Sequence, residues 1–130
     1  IISEYVLNID DILITMDGTV GRTTRVVNDK LVLAQRVGRL TANSSSKFLY
    51  YLLNAGAFYE SMTLLASGGT IKHISLNDIA CHPIKIPKLF KEERKIGEYF
   101  HNLDKLITMH QTELEKLNNL KKACLEKMFV

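Results

Sequence analysis

The sequence has no tryptophan and only two prolines and two cysteines among its 130 residues. Cys81 and Cys124 are 43 positions apart and show no metal-ligand spacing, which excludes a disulfide scaffold and suits a reducing cytoplasm. No apolar run approaches the roughly 18 residues of a membrane helix, and no signal peptide is recognisable, so we expect a soluble, cytoplasmic protein. Catalytic triads, metal-ligand clusters, Walker loops and dinucleotide fingerprints are also missing. These absences predict a protein that is not an enzyme and has no cofactor and no metal.

The composition is that of a folded domain with a weak positive charge. Apolar residues make up 46% and charged residues 24% of the chain, as in globular proteins. The 17 Lys and Arg against 14 Asp and Glu give a net charge of +3, which permits nucleic-acid binding without demanding it. Because the first residue is isoleucine, we expect this chain to be a piece of a longer product.

Glycine and proline divide the chain into two parts. Residues 1–88 contain six of the seven glycines and both prolines, whereas residues 89–130 contain one glycine and no proline. Such a stretch, with no proline and a single glycine, predicts a single long helix. Pro87 marks the boundary, since proline disfavours helix in the residue before it. We therefore predict an α+β protein with a small mixed domain over 1–88 and one long helix over 89–130.

The predicted elements of the first part follow from turn and cap residues. The apolar run over 11–16 predicts a buried strand that ends at Asp17-Gly18, and strands are expected near 24–27 and 31–40. Serines 44–46 can cap a helix over 47–54, and a second helix is expected over 57–66. Ser75 and Asp78 have the spacing of a capping box.

The long helix carries an apolar stripe at alternating steps of four and three residues. Eight of ten stripe positions are apolar, which predicts the seam of a coiled coil. At about 1.5 Å per residue, the stretch over 91–128 would be roughly 57 Å long, too long for so small a domain to cover along its whole length. The residues predicted to form the seam contacts are Leu103, Ile107, Leu114, Leu117 and Cys124.

Two polar stripe positions, His110 and Lys121, bear on the orientation of the partner helix. In a parallel pair each lysine would face its twin, whereas an antiparallel pair separates them. This favours an antiparallel homodimer. Two alternatives stay open: the lysine can extend to solvent and carry no orientation signal, and the helix can break at Asn118-Asn119 and fold back.

Loops of the first part collect cations, hydroxyls and glycines. Such side chains and accessible backbone N–H groups suit contacts with phosphates and base edges. Acidic residues Asp10, Asp11 and Asp17 bracket the first strand and are interpreted as solvated turn residues. The residues expected to contact DNA are Arg22, Thr23, Arg25, Lys47, Thr70, Lys72 and His73.

Several segments resemble the specificity subunit of type I restriction–modification enzymes. The junction Pro83-Ile84-Lys85-Ile86-Pro87, running into Glu92-Glu93 and the leucine-rich helix, is the most specific match. Other matching segments are residues 11–14, 18–22, 48–53 and 68–74. Two departures are a Glu-Glu pair where the family usually has Glu-Gln, and a recognition domain that commonly begins some sixty residues earlier.

The resemblance implies a role in DNA sequence choice. A recognition domain of this family reads half of a bipartite target in double-stranded DNA, and its spacer helix pairs antiparallel with a second helix. Methyl transfer and cleavage would belong to separate modification and restriction subunits that the chain recruits. The competing hypothesis is a helical assembly or adaptor domain that binds only protein. A methyltransferase fragment is disfavoured, since its Asn-Pro-Pro-Tyr and cofactor-binding glycine motifs are missing.

Overall fold

The computed structural model describes residues 3–129. These residues form an α+β fold that ends in one long helix, as predicted. The chain divides into two compact units, Ile1–Glu98 and Tyr99–Val130. The functional boundary placed at residue 88 stays a prediction. No helix in the described part of the chain is long and apolar enough to cross a membrane.

The first unit is built on a three-stranded antiparallel sheet. After a short 3-10 turn at Ser3–Tyr5, the strands are β1 (Ile12–Thr15), β2 (Thr23–Arg25) and β3 (Val37–Leu40), in the order β2-β1-β3. Ile12 lies opposite Arg25 on β2 and Leu40 on β3. The short apolar run of the sequence therefore becomes the central strand.

Helices cover this sheet and complete the core. They are α1 (Ser46–Asn54), α2 (Gly56–Ala66) and α3 (Leu76–Ala80). The largest fully buried side chains, which come from β1, α2 and the loop before α3, are Ile12, Ile14, Met62 and Ile74. Burial of each such side chain stabilises the fold by about 1.5–3 kcal/mol relative to its exposure.

Side-chain caps define where the helices begin. The Ser45 hydroxyl accepts a hydrogen bond from the Phe48 N–H, which caps α1 as the serine run predicted. At α3 the predicted capping box is present, since Ser75 and Asp78 bond to each other's backbone N–H groups. Each cap satisfies donors that a helix N-terminus otherwise leaves unpaired.

The strand expected over 31–40 is mostly wrong. Only Val37–Leu40 forms a strand, and Val32 makes an isolated bridge with Val6. Arg36 has φ of 63°, a left-handed conformation that a continuous strand does not allow. The segment therefore turns just before β3. The apolar run over 31–34 favours a strand and contains no local signal for this turn.

The last helix, α4, runs from Phe90 to Met128. It continues through Asn118 and Asn119, so the alternative of a break there is wrong. Its first turns belong to the first unit, where Glu93 and Gly97 are buried. The helix itself is as predicted, whereas its pairing in a coiled coil stays a prediction.

Candidate nucleic-acid interface

Two of the expected contact residues line one polar hollow of the first unit. Arg25, at the end of β2, places Nη1 at 3.4 Å from Asp10 Oδ1, and its side chain is 17% exposed. Lys47, in the first turn of α1, places Nζ at 2.6 Å from Glu98 Oε1. Ser44, Ser45, Ser46 and Arg94 are among the other lining residues. The hollow thus brings cations and hydroxyls together, with a carboxylate already facing each of the two predicted cations.

A second group lies at the opposite end of β2. The Arg22 guanidinium stands 5.0 Å from the centroid of the Tyr59 ring, a cation–π contact with α2. Asn54, at the end of α1, donates a hydrogen bond from Nδ2 to Thr23 Oγ1 at 2.5 Å. These contacts orient both residues against the helices, and the exposed Arg22 keeps its charge in solvent.

The third group is the loop that precedes α3. Thr70, Lys72 and His73 are all exposed on it. Its backbone is tied to the loop after β1, because Gly18 N–H donates to the Lys72 carbonyl at 3.1 Å. Asp17 Oδ1 pairs with His73 Nδ1. The loop is therefore held in place while Lys72 faces solvent.

The contacts thus divide the seven predicted residues among three places. Arg25 shares a hollow with Lys47, Arg22 lies next to Thr23, and the remaining three residues share one loop. The location of a residue does not by itself show contact with DNA, so the seven assignments remain predictions. Among the three groups, the loop with Lys72 combines exposure and backbone fixation most fully.

Acidic residues beside β1 behave differently from the turn residues expected there. Asp11 is 2% exposed, forms an ion pair with Arg39 Nε at 2.7 Å and accepts a hydrogen bond from the Asn8 N–H at 2.7 Å. Asp17 faces both His73 and Arg36, with 3.2 Å between its Oδ2 and Arg36 Nε. Arg36 lies 19 positions from Asp17 in the chain, so no local motif could have indicated this pairing.

The predicted pairing residues are exposed on α4. Leu103, Ile107, Leu114 and Leu117 have exposed fractions of 37%, 53%, 59% and 62%, and Cys124 is exposed too. A row of apolar side chains left in water is unfavourable and is typical of a surface that binds another protein. No three His, Cys, Asp or Glu residues within 3–129 gather in a way that could hold a metal ion.

Comparisons of the sequence with known proteins identify its family. Residues 2–119 match the family model described as the type I restriction modification DNA specificity domain. A Mycoplasma pneumoniae protein named as a type I specificity subunit is 39% identical over 72 residues, which are 55% of this chain and 18% of that protein. The chain thus matches less than a fifth of the length of this relative. The match to the family model covers most of the chain, which therefore belongs to the type I restriction modification DNA specificity family.

Proposed function

We propose that this chain chooses the DNA sequence on which a type I restriction–modification system acts. The single observation that carries this proposal is the family match over residues 2–119, which includes the folded first unit and most of α4. The exposed cations on fixed loops of the first unit support it, because phosphate contacts position a protein on DNA and side chains on such loops read base edges.

Within the first unit we assign the main DNA contact to the loop with Thr70, Lys72 and His73. Its side chains are exposed, and its backbone is bonded to the neighbouring loop. Arg22 and Thr23 follow, oriented by Tyr59 and Asn54. Arg25 and Lys47 rank last, because each would have to share its charge between a carboxylate and a phosphate.

For α4 we propose an antiparallel pair with a second copy of this chain. The exposed apolar row supports it, since burial of such side chains contributes about 25 cal/mol per Å² of apolar surface. A two-fold pair would carry one DNA-reading unit per copy and would recognise an inverted repeat. The helix would then set the distance between the two half-sites.

The chain would act in the cytoplasm, without catalytic activity and without a cofactor. Methyl transfer and cleavage would be the work of modification and restriction subunits, which the chain recruits to double-stranded DNA. An adaptor that binds only protein is the second candidate, favoured by the carboxylates that face Arg25 and Lys47.

The two candidates differ in what the chain selects from a pool of random-sequence DNA duplexes. We expect the full chain, with and without the modification subunit, to enrich duplexes that share a short motif at a stated salt concentration. Lys72→Ala should weaken binding and reduce the salt slope by about one unit, because one phosphate contact is lost. Lys85→Ala, an exposed lysine outside the three groups, is the matched control. Enrichment of no motif would favour the adaptor.

A further inference from the structure

Asp17 occupies a central position at the end of the sheet. Just beyond β1, Met16 N–H donates to the Arg36 carbonyl at 3.0 Å, and Ile74 N–H donates to the Met16 carbonyl at 2.9 Å. The segment before β3 and the loop before α3 therefore flank the same short stretch on its two sides. An isolated bridge between Asp17 and His73 continues this pairing by one residue.

The side chains follow the backbone arrangement. Asp17 uses one carboxylate oxygen for His73 Nδ1 and the other for Arg36 Nε. The Asp17 side chain is only 22% exposed, whereas that of Arg36 is 76% exposed and that of His73 is 54% exposed. A half-buried carboxylate thus lies beneath two exposed side chains that carry nitrogen donors. It contacts one nitrogen of each, Nε of Arg36 and Nδ1 of His73.

This arrangement leaves the outer donors available. With Nε against Asp17, the Arg36 atoms Nη1 and Nη2 make no ion pair or hydrogen bond within residues 3–129. A guanidinium in this state presents a planar pair of N–H groups, which matches two acceptors of a phosphate or the O6 and N7 edge of guanine. The imidazole likewise retains Nε2.

Stability does not explain why an arginine stands at position 36. Its φ of 63° is a left-handed conformation that glycine adopts without strain and that side chains disfavour. Exposed ion pairs contribute little to folding. A strained residue with an exposed, oriented side chain is a common mark of a functional position.

We propose that Asp17 is a positioning residue that holds Arg36 and His73 in place for DNA, and that Arg36 makes a direct DNA contact. The inference rests on the proposed function, since it names a further contact of the same DNA-reading surface. Arg36 would add its charge to that of Lys72 on the flanking loop, so both segments beside Asp17 would face the duplex.

The test compares four substitutions in the full chain, using a duplex selected by the wild-type protein from a random pool. Asp17→Asn keeps the size of the side chain but replaces one carboxylate oxygen with an NH₂ donor, so it cannot offer a separate oxygen to each partner. Arg36→Gly removes the guanidinium and relieves the left-handed strain. Asp29→Asn and Lys30→Gly are the matched controls, because Asp29 is an exposed acid and Lys30 is an exposed cation with φ of 64°.

The two explanations, a simple charge effect and a positioning role of Asp17, predict opposite changes in DNA affinity for Asp17→Asn. Removal of a negative charge near DNA should tighten binding, as we expect to a small extent for Asp29→Asn. If Asp17 positions Arg36 and His73, the same change weakens binding to the selected duplex by roughly tenfold. Arg36→Gly should weaken binding by a similar factor, while the midpoint of thermal unfolding stays equal or rises. Lys30→Gly should not weaken binding in this way.

The remaining outcomes separate this inference from the proposed function. A loss of preference at one G·C pair would identify a base contact of Arg36, whereas an equal loss on all duplexes with a lower salt slope would identify a phosphate contact. Both support the inference. Unchanged or tighter binding by Asp17→Asn, or unchanged binding by Arg36→Gly, overturns it. If the wild-type chain retains no duplex at all, the proposed function itself fails.

Discussion

Gly97 is the residue that permits α4 to lie against the first turn of α1. A Cβ atom at this position would lie 2.7 Å from the Phe48 nitrogen and 3.0 Å from Lys47 Cβ. The Phe48 nitrogen is part of the backbone and is bonded to the Ser45 cap, so it has little freedom to move. One turn earlier, the buried Glu93 carboxylate accepts a hydrogen bond from the Ser44 hydroxyl. The only glycine of the long helix thus marks its contact with the first unit.

Replacement of this glycine tests the close approach. In an exposed helix, Gly→Ala stabilises by roughly 1 kcal/mol, whereas overpacking of a tight contact costs about 1–3 kcal/mol. We expect Gly97→Ala to lower the free energy of unfolding by about 1 kcal/mol, measured by urea denaturation. Gly56→Ala is the matched control, because its Cβ would meet only Glu60 Oε1 at 3.8 Å. It should be neutral or stabilising. Equal effects of the two changes would contradict the packing argument.

Because of Asp78, the stability that the capping box of α3 contributes depends on pH. Hydrogen bonds from the Ser75 backbone and side chain lower the pKa of this carboxyl below its usual value of 3.8. Because the folded pKa is the lower one, the contribution to stability is fully present above the unfolded pKa and is lost as the pH falls through the folded value. We expect Asp78→Asn to destabilise the protein at pH 7. The difference from wild type should shrink as the pH falls below about 3.8 and through the lower folded pKa, where Asp78 of the folded wild type becomes neutral. Denaturation at several pH values would measure this, and a constant difference at every pH would refute it.

Sequence reasoning at this scale found the caps but missed the long-range ion pairs. A serine just before the first turn of a predicted helix is a local capping signal, so the roles of Ser45 and Ser75 are predictable from the sequence alone. Asp11 and Asp17 instead acquire Arg39 and Arg36 as partners through the pairing of β1 with β3. Charge type and chain position do not encode which distant segment will pair, and this is why the acids were interpreted as solvated turns.

At the scale of secondary structure, the sequence predicts best the position of those elements that have a continuous pattern. α1, α2 and α4 end within two residues of the expected positions, since each has clear apolar spacing or, in α4, a long stretch with no proline and one glycine. The segment before β3 differs from its prediction, because the apolar run over 31–34 favours a strand whereas the left-handed Arg36 interrupts it. Arginine carries no local preference for that conformation, so the turn depends on tertiary contacts.

The apolar row of α4 carries a prediction about assembly. Two adjacent seam positions, Leu114 and Leu117, are 59% and 62% exposed, and a pair of helices would bury both. Leu114→Asp with Leu117→Asp would place charges in that interface, so we expect the dimer to dissociate to monomers in sedimentation velocity. Thr112→Asp with Asn119→Asp adds the same charges on the outward side of the predicted seam and should leave the dimer intact. A dimer that survives the first pair of substitutions would exclude this seam.

At the scale of the whole molecule, the proposed function gives different roles to the first unit and to α4. In this proposal the first unit would supply side chains that contact bases and phosphates, and the exposed stripe of α4 would supply the association that brings a second reading unit to the same duplex. With a net charge of only +3, the chain has little general attraction for DNA. Two linked units would compensate for this, since the second contact would form at a high effective concentration.

If the paired helices set the distance between the two reading units, their length determines the spacing of the DNA half-sites. Duplication of residues 114–120 adds one heptad, so the stripe stays in register and each helix grows by roughly 10 Å. At about 3.4 Å per base pair, the half-sites selected from random duplexes should move apart by about three base pairs while their sequences stay the same. Duplication of 114–118 is the control: five extra residues rotate the distal stripe by about 140°, and we expect the pairing and the two-part motif to be lost. An unchanged spacing after the heptad duplication would contradict a measuring role for α4, even if the chain still bound DNA.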